Sequence, residues 1–134
     1  LLSGCAVAAR ALRPGIRVFG AEPEGACDWK LSMAAGQRVR IPHPDTIADG
    51  LRAPQPGELT FALLRDKLEA VLLVSEEEIL GAMRFLLMRL KLLVEPSGAV
   101  AAAAALYRKL PPGIESAGII LSGGNVDMDV LRLL

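Results

Sequence analysis

Ala70-Val71-Leu72-Leu73-Val74-Ser75-Glu76-Glu77-Glu78 decides the fold class. Five apolar residues read as a buried strand, and the run stops at a serine followed by three acids. Ser75 is placed as a helix N-cap. Glu78 stands at the capping-box position, and the acids of the first turn face the positive end of the helix dipole. A strand that passes directly into a helix is half of a β-α-β unit. A strand with no polar alternation is one covered on both faces, as in a parallel sheet.

Working outward, helices and strands alternate. Leu1–Leu12 reads as an Ala/Leu helix stopped by Arg13-Pro14-Gly15, and Ile16–Ala21 as a short strand. Glu22-Pro23-Glu24-Gly25 is a loop, and Cys27–Ala35 a short helix ended by Gly36. The proline-rich segment Gln37–Pro56 is long for a connection, a feature of functional or mobile loops. Phe61–Lys67 reads as a short helix or as extended chain. The helix begun at Ser75 runs to about Leu90, and Val94–Gly98 breaks it. A helix over Ala99–Lys109 stops at Pro111-Pro112-Gly113. A strand over Ala117–Leu121, a Ser122-Gly123-Gly124-Asn125 turn and a short helix from about Asp127 complete the chain. The fold class expected is α/β, a twisted parallel sheet with helices on both faces. Three strands are too few to close a doubly wound sheet. Residues 1–134 are therefore expected to form a single partial domain, incomplete without upstream residues.

Composition bounds the partners. Hydrophobic residues make up 52% of the 134 positions and aromatics 4%, so the core is built from Ala, Leu, Val and Ile. Charge is balanced at 15 basic against 15 acidic residues with no basic run, which argues against nucleic acid as the main partner. The apolar run Ala99–Leu106 falls well short of the roughly 20 residues that span a bilayer, so no membrane span is expected. Leu1–Ala9 is apolar but has no basic segment before it, unlike a secretion leader. A cytoplasmic location is expected, with Cys5 and Cys27 as free thiols.

Three segments besides the glycine turn offer chemistry. Glu22, the carbonyl of Ala26 and Asp28 lie within seven residues. Read from residue types alone they are a solvated acidic loop, caps for the next helix, or oxygen ligands for one hard cation. Thr46-Ile47-Ala48-Asp49-Gly50 is a turn in which Gly50 permits close backbone approach. Glu95, before Pro96-Ser97-Gly98, is either a partner of a helix dipole or a site carboxylate. Ser122 ends an apolar run, and in open α/β sheets ligands sit beyond the carboxyl ends of strands. The two glycines after it leave the backbone open to a flat ligand or a phosphate, although the same four residues also make a plain turn. His43 between two prolines has no Ser, Asp or Cys partner at a recognisable spacing and is read as surface. Trp29 and Tyr107 are read as packing residues. Gly123-Gly124 lacks a P-loop lysine, and no G-x-G-x-x-G occurs.

Taken together these segments are more specific. Val18-Phe19-Gly20-Ala21-Glu22-Pro23-Glu24-Gly25-Ala26-Cys27-Asp28, then Thr46–Gly50, then Lys91-Leu92-Leu93-Val94-Glu95-Pro96-Ser97-Gly98-Ala99, then Leu121-Ser122-Gly123-Gly124-Asn125-Val126-Asp127 occur in that order. The order and spacing closely resemble the threonine dehydratase (deaminase) and serine racemase group, pyridoxal-phosphate enzymes of the tryptophan-synthase-β fold type. The resemblance extends to about residue 130. It implies that Ser122 hydrogen-bonds the pyridine nitrogen of pyridoxal 5'-phosphate, with Gly123 beside it. It implies that Glu95 is the family glutamate near the ring and that Gly50 lies beside the ring hydroxyl. Glu22, Ala26 and Asp28 then match a divalent-cation site for magnesium, calcium or manganese. Cys27 falls where relatives often carry an acid.

The same resemblance implies that no catalytic residue lies in this chain. The Schiff-base lysine, the phosphate-binding glycine loop and the small domain are expected upstream, and none of Lys30, Lys67, Lys91 or Lys109 sits in a Ser-Phe-Lys context. The implied parent activity is β-elimination of L-threonine or L-serine to a 2-oxo acid and ammonia, with the fragment alone inactive. Serine racemase is the close alternative, and a non-catalytic α/β module that kept the scaffold is the rival from another class. The expected partner is a small amino-acid substrate, with a homo-oligomer, dimer or tetramer, as the assembly.

Overall fold

Strand β1 (Phe19–Pro23) and strand β2 (Ala70–Val74) pair in parallel, Phe19 opposite Ala70 and Pro23 opposite Val74, in the computed structural model, which describes residues 1–134. Around them run helices α1 (Leu2–Leu12), α2 (Asp28–Ala35), α3 (Glu58–Leu64), α4 (Glu76–Phe85), α5 (Pro96–Leu106) and α6 (Met128–Leu131). Side chains alternate across a strand, and the two faces are covered by different helices. Val71 faces Ala6 of α1, Leu64 of α3 and Leu68, with Leu2, Trp29 and Met33 packed against them. Val74 faces the other way, into the larger core of Ile79, Ala82 and Met83 from α4 and Ala99, Val100 and Ala103 from α5. The sheet is thus covered on both sides, as the unbroken apolar run of β2 requires.

The α4 start is built as its sequence dictates. The Glu78 N–H donates to Ser75 Oγ (3.3 Å), and the Ser75 N–H donates to Glu78 Oε2 (2.9 Å). This capping box satisfies two backbone donors that the helix itself leaves free. Helix α4 does not run on to Leu90 in regular form. It passes at Leu86 into a π-helical turn, Leu86–Leu90, which Lys91 ends in a left-handed conformation (φ 59°).

Several elements differ from expectation. β1 begins three residues later and ends two residues later than Ile16–Ala21, taking in Glu22 and Pro23 from the expected loop, because it takes its place from pairing with β2 and not from local propensity. The ambiguous segment after Pro56 is helical over Glu58–Leu64. α5 begins at Pro96, where the missing N–H costs nothing in a first turn, and ends at Leu106. Ala117–Leu121 is not a third strand. It pairs with neither β1 nor β2, and Ile119 and Ile120 are 39% and 50% exposed. Its composition suits a half-buried pleated surface, but a ladder needs a neighbour about 4.8 Å away, and the sheet has two strands. No helix is long and apolar enough to cross a membrane.

Candidate functional site

The N-terminus of α5 gathers the motif residues. Glu95 is its N-cap position, followed by Pro96 in the first turn. On one side lies the single helical turn Asp49–Leu51, where the Gly50 N–H donates to Ser97 Oγ (3.0 Å) and to Asp49 Oδ1 (2.8 Å). On the other side lies the turn that begins at Ser122. The Glu95 N–H donates to the Gly123 carbonyl (3.3 Å), and the Asn125 N–H donates to Glu95 Oε2 (3.0 Å). Gly50, Glu95, Ser122 and Gly123, spread over more than seventy positions of sequence, are thereby brought to one helix end.

Two glycines are structurally required there. Gly123 has φ +79°, which disfavours a side chain, and a Cβ on it would lie 2.5 Å from Glu95 Oε1. A Cβ on Gly98 would lie 2.0 Å from the Ser122 carbonyl oxygen. The absence of side chains at both positions lets the Ser122 turn settle on α5. Glu95 therefore holds the backbone of the turn in place in addition to lying near it.

A second cluster stands at the carboxyl end of β1. Glu22 and Asp28 are only 6% and 3% exposed, and Ala26 between them is buried. Glu22 accepts the N–H groups of Trp29 and Lys30, each at 3.0 Å, so it caps α2 as one of the sequence readings had it. Burial pushes the Glu22 carboxyl up to about 7; the two N–H donors oppose this, and the neighbouring Asp28 reinforces it. Burial likewise raises Asp28. Asp28 Oδ2 is buried without a hydrogen-bond partner. Two buried acids with an unsatisfied oxygen are a donor set that a hard divalent ion would satisfy. No set of three or more His, Cys, Asp or Glu side chains converges anywhere. An ion here would rest on these two carboxylates and on backbone oxygen.

The Glu22–Asp28 loop touches, through backbone, the segment that leads to Gly50. The Asp45 N–H donates to the Gly25 carbonyl (2.9 Å). Thr46, directly after Asp45, is buried, and its Oγ1 accepts the Ala48 N–H (3.1 Å). Of the remaining candidates, Tyr107 is 45% exposed rather than packed away. His43 is exposed, and Trp29 packs against Phe61 with ring centroids 5.9 Å apart. Three lysines are engaged away from the α5 terminus: Lys30 Nζ donates to the Val71 carbonyl, Lys91 Nζ to the Met88 carbonyl, and Lys109 pairs with Glu78. Two residues with roles in this arrangement were not singled out by the sequence, Ser97 and Glu76. Ser97 could have been found from its place in the helix start; nothing local marks Glu76, whose Oε2 accepts the Ile47 N–H (2.9 Å).

Comparison with known proteins agrees with the motifs. The L-threo-3-hydroxyaspartate ammonia-lyase of Saccharomyces cerevisiae is 47% identical over 128 residues, covering 96% of this chain and 39% of that enzyme. The serine racemase of Oryza sativa subsp. indica is 46% identical over 136 residues, covering 98% and 40%. Maize serine racemase superposes with a TM-score of 0.90 at 46% identity, over 99% of this chain and 42% of that one. Threonine deaminase from T.th. does so with 0.88 at 45% identity, over 96% and 46%. The chain spans about two fifths of the length of the curated relatives it matches. A family model described as pyridoxal-phosphate dependent enzyme matches residues 1–123, and the chain belongs to that family.

Proposed function

We propose that this chain is one wall of the cofactor site of an L-threonine/L-serine ammonia-lyase. The observation that carries the reading is the convergence of Gly50, Glu95, Ser122 and Gly123 on the start of α5. Pyridoxal phosphate, when bound, supplies an electron sink for the α-carbon of an amino acid. The Ser122 hydroxyl meets the pyridine nitrogen as a neutral partner, which leaves that nitrogen largely unprotonated and the sink mild, suited to β-elimination. Gly50 and Gly123 present backbone to the ring, and Glu95 keeps the Ser122 turn in register. The lysine that carries the cofactor and the phosphate loop come from the rest of the polypeptide. Glu22, Asp28 and the Ala26 carbonyl hold magnesium, calcium or manganese.

Serine racemisation is the second reading. It is favoured by relatives and a solved structure that bear the name serine racemase at 46% identity. The test uses the whole polypeptide loaded with pyridoxal phosphate and incubated with L-threonine and with L-serine, following 2-oxo acid, ammonia and D-serine. Elimination products in excess are expected. D-serine with little 2-oxo acid selects the second reading, and no turnover of either amino acid with the cofactor bound refutes both.

A further inference from the structure

The three acids at the start of α4 do not share one job. Glu78 closes the capping box, and Glu77 accepts the Ser75 hydroxyl (2.8 Å), so both serve their own helix. Glu76 instead reaches 29 positions back along the chain, where its Oε2 accepts the Ile47 N–H (2.9 Å). Its Oε1 is buried with no hydrogen-bond partner. A carboxylate in the first turn is favoured by the helix dipole while facing water. Turning it inward and leaving one oxygen unsatisfied is costly, and the cost is matched by a specific contact to another element. Ile47 lies in the turn that contains Gly50, three residues before it. In that turn the Ala48 N–H bonds Thr46 Oγ1, the Asp49 N–H bonds the Ile47 carbonyl (2.9 Å), and Arg52 Nε bonds the Thr46 carbonyl (2.8 Å). These bonds shape the turn internally. Glu76 is the side chain that ties it to α4, as Ser97 ties it to α5.

We propose that Glu76 is a positioning residue for the cofactor-side turn: by accepting the Ile47 N–H it fixes where Gly50 presents its backbone. This rests on the reading of Gly50 as a neighbour of pyridoxal phosphate. Glu76 itself touches no reacting atom.

The test uses the whole polypeptide as apoenzyme, with two readouts: amide hydrogen exchange across 46–51 and the dissociation constant for pyridoxal phosphate by spectral titration. Glu76→Ala removes a charged acceptor and is expected to speed exchange in that segment about tenfold and weaken the cofactor about tenfold. Glu76→Gln keeps an acceptor at the same reach and restores both to within about threefold of wild type, a rescue that a role of charge alone would not produce. Should Glu76→Ala not fold, Glu76→Asp replaces it, one methylene too short to reach Ile47 and expected to fail where Gln succeeds. Wild-type exchange and affinity in the Ala variant overturn the proposal, as does a Gln variant as impaired as Ala. Faster exchange with unchanged affinity also overturns it, since the turn would then be clamped without the cofactor needing it. A wild-type apoenzyme that takes up no pyridoxal phosphate refutes the cofactor reading instead, and is recognised before any variant is made.

Discussion

The buried pair Glu22 and Asp28 should make stability fall as pH rises, until a cation is supplied. Glu22 is raised from its ordinary 4.5 to about 7, chiefly by burial. At low pH the carboxyl is protonated in both the folded and unfolded chain, and the folded state has its full stability. Between about 4.5 and 7 the unfolded chain releases the proton while the folded chain keeps it, so the slope of stability against pH is negative. At about 1.4 kcal/mol for each pH unit, the loss accumulates to about 3 kcal/mol by neutrality. That is a large share of the roughly 5–15 kcal/mol that holds a typical fold.

The proposed divalent cation would take the place of the proton that Glu22 keeps. It binds the ionised pair and satisfies Asp28 Oδ2, so its stabilisation must grow with pH as proton competition fades. At a free concentration 100 times its dissociation constant it returns about 2.7 kcal/mol, close to the whole loss. The assay is the denaturation midpoint of the whole polypeptide from pH 5 to 7.5, with chelator and with magnesium, calcium or manganese. His43→Gln serves as control, since His43 is the single histidine and is exposed. Asp28→Asn should abolish the cation response. The reasoning is refuted if the chelated protein is as stable at pH 7.5 as at pH 5.5, or if the cation raises the midpoint equally at both.

Three further outcomes are expected of the whole polypeptide. Gly98→Ala places a methyl 2.0 Å from the Ser122 carbonyl oxygen, so the turn must shift; a loss of cofactor affinity of about tenfold or more is expected by spectral titration. Ser122→Ala removes the hydroxyl proposed as the neutral partner of the ring nitrogen and should weaken the cofactor and slow elimination about tenfold each, read as separate dissociation and turnover constants. Ile79→Ala opens a cavity in the core between α4 and β2, where Ile79 is fully buried; it should cost about 2–5 kcal/mol in urea denaturation and leave cofactor affinity within about threefold.

What was legible in the sequence was what short-range chemistry determines. The bounds of β2 and the capping box of Ser75 and Glu78 could be read directly, because each depends on neighbours within a few residues. Ala117–Leu121 could not, because pairing depends on what lies beside a segment, and its apolar residues are also those of an extended segment whose Leu121 packs on α4 and α5. In the sequence Gly98 closes the segment Val94–Gly98 that breaks one helix before the next, expected from Ala99. In the fold it lies within the first turn, and its missing side chain makes room for Ser122. The candidate site residues were legible as motifs, whereas Ser97 and Glu76 entered only through hydrogen bonds to residues 47 and 29 positions away.

Those long-range bonds give a physical reason for the proposed cation loop and the proposed cofactor wall to act together. The loop from Glu22 to Asp28 touches the proline-rich segment at Gly25, where a Cβ would lie 1.9 Å from the Asp45 carbonyl oxygen. Backbone packed that closely leaves no slack between the two segments. The Gly25 carbonyl also accepts the Asp45 N–H, so movement in one segment is carried to the other. Asp45 leads directly into the turn that Glu76 and Ser97 hold from opposite sides. Were the proposed ion to tighten Glu22 and Asp28 around itself, the Gly25–Asp45 contact and the chain from Asp45 to Gly50 would be the route by which it bears on Gly50. Coupling of this kind is reciprocal: if the ion strengthens cofactor binding by some factor, the cofactor strengthens ion binding by the same factor. An ion that merely filled a cavity in the loop would add stability and leave cofactor affinity alone. The Gly25–Asp45 contact is the feature that separates these two cases.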